Sequence, residues 1–230
     1  MAQDQKKRLK NLMKKRQKDN ARKKKSLAPS QPSQQGIIRR AREFPIVDCF
    51  INHDWEGQDG LARILITRQQ PDGNLVFGSF LVDMFCLGLK NTHADANVSL
   101  GEFRDRVIPL LYPDETQIEC ALDMAHQIIY QGIDYAAKFG FKPQRDFKLS
   151  QYILDKRGTY IEPYTLTFGK DGKPLFVSGP YDNVPVILSR LEKNPGPGNY
   201  DYLLNVAGLL NDDGETYDDD DDETDVEDET

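Results

Sequence analysis

The chain has few of the residues from which active sites are usually built. Among 230 residues there are three cysteines, three histidines and one tryptophan. Cys49, Cys86 and Cys120 are odd in number, widely spaced and flanked by apolar residues. That excludes a disulfide scaffold and reads as small core side chains in a reducing compartment. No two cysteines form CxxC, and His53, His93 and His126 never fall at the spacing of HExxH, so neither common zinc signature is present. Asp48, Cys49, His53 and Asp54 crowd one strand end, but a solvated loop accounts for them. The expectation is no metal and no cofactor. Nothing matches GxxxxGK[ST], which excludes a P-loop. No apolar run approaches a membrane span, and no apolar stretch follows the first basic residues. The expected location is therefore cytoplasmic, or nuclear in a eukaryotic cell, where the KKR and KKK clusters would serve as an import signal.

Charge is abundant, and it is segregated. The net charge is −7, yet residues 1–42 carry fifteen Lys/Arg against two Asp, and residues 211–230 carry thirteen Asp/Glu and no base. This pattern divides the chain into a basic arm and linker (1–36), one body (37–210) and an acidic tail (211–230). The arm has good helix formers over Lys6 to Lys25 but only Leu9, Leu12 and Met13 as large apolar residues. Like-charge repulsion should keep it frayed when free. Residues 26–35 are rich in Ser, Pro and Gln, as a flexible linker is.

The body is organised around residues 61–86. LARILITR, the turn QQPDG and NLVFGSFLVDMFC predict a hairpin, with Pro71 presetting φ and Gly73 accepting a positive one. The second run is apolar on both parities, which predicts a central strand covered on both faces. Gly88 should end it, leaving Lys90 to Asn97 as polar chain. Ile46 to Ile51 reads as a first strand and Ser99 to Leu111 as a short helix. Ala121, Ala125, Ile128, Gly132, Tyr135 and Phe139 recur at steps of three and four, predicting a long helix capped by Asp114 or Thr116 and closed at Gly140. Asp146 to Leu154 predicts a further helix. Tyr160 to Phe168 and Pro174 to Val177, joined by GKDGK, predict a second hairpin. Val184 to Lys193 predicts a helix, and Tyr200 to Leu210 a last apolar segment. The fold class expected is α+β: a mostly antiparallel sheet built on hairpins, with a long helix packed on it and disordered charged termini.

Catalytic candidates are sparse. Asp83 is discordant in an apolar strand, and burying it alone is costly without a partner. With Cys86 and His93 near in sequence, it forms the one acid, thiol and imidazole set to consider; the alternative is an Asp83 that caps a loop or pairs with Lys90. The basic arm is the more specific signal. Lys6, Lys7, Arg8, Lys10, Lys14, Lys15, Arg16, Lys18, Arg22, Lys23, Lys24 and Lys25 could neutralise several phosphates. The arm has no aromatic side chain to stack on bases. The partner expected is therefore nucleic acid or a ribosome-like particle, bound by charge. The acidic tail could hold a basic protein partner, or compete with nucleic acid for the arm.

Over roughly residues 45–150 the body resembles a mainly bacterial α+β family without an assigned activity. The resemblance rests on Trp55, Gly60, Arg68, Pro71-Asp72-Gly73, the run GSFLVDMFCLGLK (78–90), IYQGIDYA (129–136) and FGFKP (139–143). Some similar sequences carry an additional zinc-binding SEC-C module, whose cysteine cluster is absent here. The resemblance implies that hairpin and long helix form one unit, and it implies no catalytic residue.

Overall fold

The computed structural model describes residues 13–18, 33–113 and 116–204. Its frame is a five-stranded antiparallel sheet with order β4-β3-β2-β1-β5. The strands are β1 (Ile46–Asn52), β2 (Leu61–Gln69), β3 (Leu75–Asp83), β4 (Gly88–Val98) and β5 (Gln117–Glu119). Helix α1 (Gln34–Arg39) precedes the sheet. Between β4 and β5 run the consecutive turns Leu100–Glu102, Phe103–Val107 and Ile108–Leu111, together α2; the middle turn is π-helical. Helix α3 (Leu122–Ala137), α4 (Phe147–Ser150) and α5 (Val184–Lys193) follow. A separate parallel pair joins β6 (Leu175–Val177) to β7 (Asp201–Leu203). The fold is α+β.

The opening hairpin forms in an unbroken register from Leu61↔Asp83 to Gln69↔Leu75. Its turn is closed by the Asp72 carboxylate, which accepts from the Asn74 N–H, and by Gly73 at φ +87°. β3 is buried on both faces as its composition requires. The middle of the sheet, however, is β2, because β4 lies beyond β3 and adds only one strand on that side.

Each face of the sheet has its own core. On one, Ile51, Ile64, Ile66, Phe80 and Val82 meet Ile128 and Ile129 of α3. On the other, Leu65, Leu75 and Phe77 meet Phe103 and Val107 of α2. Each such side chain taken fully from water contributes about 1.5–3 kcal/mol. The long helix sits close because two glycines face each other. A Cβ on Gly88 (φ +64°) would stand 2.4 Å from the Gly132 carbonyl oxygen. A third core places Cys86, Phe141, Phe176 and Leu191 beneath α5.

Four expectations are corrected. Lys90 to Asn97 is not polar chain but part of the longest strand among the described residues, β4; it is an edge strand, where polar residues also discourage pairing with other chains. Tyr160 to Phe168 forms no strand, and β6 pairs instead with β7. The Gly169–Lys173 turn survives only as a bridge between Lys170 and Lys173. Thr116 does not cap α3: β5 intervenes, and Ala121 stands at the N-cap without a side-chain bond. Asp114 lies outside the described residues. The helix expected from Asp146 closes after Ser150 into turns, although Ile153 and Leu154 stay buried.

The arm's bases other than Lys14, Lys15, Arg16 and Lys18 lie outside the described residues, as does the acidic tail. Residues 13–18 are helical and exposed. Among the described residues no helix is long and apolar enough to cross a membrane.

Candidate functional site

The sheet does not gather Asp83, Cys86 and His93. Asp83 ends β3 opposite Gly88, whereas His93 lies five residues further along β4, opposite Ser79. At about 3.3 Å per residue that is a separation of roughly 16 Å. Asp83 caps the β3–β4 turn: its Oδ1 accepts from the Phe85 N–H at 2.8 Å and the Cys86 N–H at 3.0 Å. Burial pushes its carboxyl above the usual range, opposed by backbone N–H groups of the turn and by Lys90. Lys90 itself pairs with Asp182 at 2.6 Å. Cys86 is fully buried, and burial first, then the charges of Asp83 and Asp182, push its thiol upward.

The turn-capping role has a measurable consequence. A carboxyl raised in the folded state binds its proton more tightly there than in the unfolded chain. Asp83 therefore lowers stability as pH rises from the ordinary carboxylate range through its folded value. Asp83→Asn keeps an oxygen acceptor and removes the charge. Its urea midpoint should gain on wild type between pH 4 and 7. Asp83→Ala, which orphans two N–H groups, should cost about 2–3 kcal/mol at pH 4 and less at pH 7, where it too escapes burying the charge.

His93 belongs to a different arrangement. Alternation along the strands puts Asn91, His93 and Asp95 of β4, Ser79 of β3 and Arg63 of β2 on the α2 side of the sheet. There they line a cavity of about 300 Å³ under the end of α2, which supplies Arg106. Phe77 forms part of the lining, its ring centroid 6.2 Å from that of His93. Arg106 is held by Glu102 at 2.6 Å, and Tyr112, just past α2, donates to the Arg63 carbonyl at 3.0 Å. The volume is at the lower end of small-ligand sites. Two guanidiniums, an imidazole, an amide, a hydroxyl and the Asp95 carboxylate above an aromatic ring suit a small polar, hydrogen-bonding molecule. The set holds no thiol, and its hydroxyl at Ser79 is directly opposite His93 on the neighbouring strand. Sequence reasoning missed the cleft because β4 itself was missed.

A second polar cluster is fully engaged in holding the fold. Arg68, 3% exposed, donates from Nε to the Ile153 carbonyl (2.8 Å), from Nη1 to that of Phe44 (2.9 Å) and from Nη2 to Asp155 (2.6 Å). His126 accepts the Asp155 N–H at Nε2, 3.2 Å away. Burial lowers its pKa, favouring the neutral ring that this bond needs. Arg42 donates to the carbonyls of Leu154 and Gln151. These contacts tie residues 151–155 to the sheet.

Asp48, Cys49, His53 and Asp54 fall on β1 and the loop after it, and among the described residues no group of three or more His, Cys, Asp or Glu side chains could hold a metal ion. With the geometry in view, comparison with family models, curated proteins and solved structures finds no match to this chain.

Proposed function

We propose that the chain engages nucleic acid or a ribonucleoprotein particle through the basic residues between Lys6 and Lys25, and that the acidic tail competes for the same residues. One observation carries this reading: the charges are not mixed. Twelve bases stand in the first twenty-five residues and thirteen acids in the last twenty. A basic block of that density neutralises phosphates and releases their counterions, whatever the base sequence.

The placement of the two ends of the body supports the competition. α1 is rooted by buried Ile37 and Ile38, and Gln34 donates to Asp95 and to the Ala96 carbonyl, both on β4. At the other end, the Leu203 carbonyl accepts from the Ser178 N–H, and the next residue, Gly179, donates to Asp182, the partner of Lys90 on β4. Lys90 and Ala96 are six residues apart on one strand, or about 20 Å. The twenty-six residues after Leu204 could extend up to about 90 Å. The two charged blocks are thus anchored well within reach of each other.

The test is a salt titration of the full chain on a short RNA and a DNA duplex of equal length. Log affinity should fall with log salt at a slope of about −5 or steeper. Removing residues 211–230 should tighten binding several-fold at low salt, and the gain should vanish as screening shortens the reach of charge. A tail that instead holds a basic protein would leave the affinity for nucleic acid unchanged, and that result would remove the competition from the proposal.

A further inference from the structure

The β1–β5 ladder brings together two cysteines that lie far apart in sequence. It pairs Asn52 with Gln117, Ile51 with Ile118 and Phe50 with Glu119. One position further, Cys49 stands opposite Cys120, and the Cys120 N–H donates to the Cys49 carbonyl at 2.9 Å. At such a hydrogen-bonded pair the Cα atoms are about 5.5 Å apart, inside the ~4.4–6.8 Å range that a disulfide spans. Both side chains pack in the apolar cluster under α3, where the Cys120 thiol donates to the Ala121 carbonyl at 3.4 Å. Cys49 is partly buried and Cys120 is 9% exposed, so the pair lies just beneath the surface.

We infer that Cys49 and Cys120 form a reversible thiol–disulfide site whose oxidant is a hydroperoxide. The two sulfurs are not equivalent. Cys120 precedes the first turn of α3, whose N-cap residue, Ala121, offers no side-chain acceptor. The neighbouring Cys49 thiol and the backbone at Ala125 favour a Cys120 thiol below its ordinary range, against the opposing effect of burial. The Cys120 thiol beside it, with burial, pushes Cys49 upward. Cys120, beside the N-terminus of α3 that no side chain caps, is the cysteine placed to carry the attacking thiolate. Its sulfur takes the terminal oxygen of the hydroperoxide, the O–O bond breaks, and the alkoxide leaves and takes up a proton. Cys49 sulfur then attacks the Cys120 sulfenic acid, the S–O bond breaks, and the hydroxyl leaves as water with the Cys49 proton. Two thiols are oxidised and one peroxide is reduced to an alcohol and water.

The backbone geometry makes the bond easy to reverse. Opposed Cβ atoms at a hydrogen-bonded pair are about 5.5 Å apart, whereas a disulfide needs about 3.8 Å. Closure must draw the end of β5 toward β1. β5 has three residues and lies at the sheet edge, so it can give. A disulfide closed against the backbone is readily reduced by a small thiol. When closed, it pins the edge strand and the start of α3 to β1.

The experiment uses the full chain in a small excess of hydrogen peroxide, followed by alkylation in denaturant and peptide mapping. The expected product has lost two hydrogens, links Cys49 to Cys120, leaves Cys86 alkylated and returns to the dithiol with glutathione. In Cys49→Ser, a sulfenic-acid probe should label Cys120. Three free thiols in the treated wild type, a link through Cys86, or a disulfide that glutathione does not reduce would overturn the inference. The wild-type mapping decides it even if the variant does not fold.

Discussion

Removing residues 1–25 is expected to lower affinity for RNA or DNA by at least about 100-fold at low salt. The magnitude follows from counting. The deleted segment carries twelve Lys/Arg and two Asp. If even half of those bases meet phosphates, the salt slope loses about five. Between ~50 and ~200 mM salt that is a loss of roughly a thousandfold in affinity for the intact chain, and near-indifference to salt for the truncated one. Without aromatic residues the arm can discriminate little between base sequences. Fluorescence anisotropy on two oligonucleotides of equal length and different sequence should thus give affinities within a few-fold of each other. A variant with the same twelve positions changed to Ser separates charge from length. Should truncation weaken binding by less than about threefold, the arm is not the contact and the proposal fails.

The second large effect is on stability. Arg68→Met should cost about 3–5 kcal/mol in urea unfolding at pH 7. Met replaces the aliphatic stem well enough, so the loss is mainly polar. Two carbonyl oxygens, of Ile153 and Phe44, lose their donor, and the partly exposed Asp155 carboxylate loses its cation. The effect should be larger than that of breaking the surface pair Arg40–Glu43, where both partners are more than half exposed. Arg68→Lys should recover only part of it, because an ammonium cannot direct donors at three acceptors in a plane. A cost below about 1 kcal/mol for Arg68→Met would show that residues 151–155 are held by Ile153 and Leu154 alone.

Several of the residues singled out in the sequence have a structural task. Arg68 ties the 151–155 segment to the sheet. Gly60, at φ +61°, leaves room for the Phe85 ring, which a Cβ would meet at 2.5 Å. Asp83 caps the β3–β4 turn, and Gly132 lets α3 approach Gly88. These positions describe how a sheet and a helix are joined.

What was legible from sequence was what local physics decides. The β2–β3 hairpin was legible because Pro71-Asp72-Gly73 dictates the turn and two apolar runs flank it. Helix α3 was legible because its apolar residues recur at the helical period, and Ala125, Ile128, Ile129, Gly132 and Ala136 are buried as that period requires. β4 was not, because a register shift opposite Leu81/Val82 breaks its alternation and half its side chains are polar. Its strand state comes from hydrogen bonds to β3, which no local pattern encodes. The same limit hid the cleft, whose residues come from three strands and α2.

By itself the sequence determined the segregation of charge, the turn at Pro71-Asp72-Gly73 and the amphipathic period of α3, because each depends on residues within a few positions of one another. Only the tertiary structure decided that Asp83 is a cap, that His93 faces a cleft and that Cys49 meets Cys120. Those outcomes depend on strand order and register, which are set by the summed burial of the whole sheet.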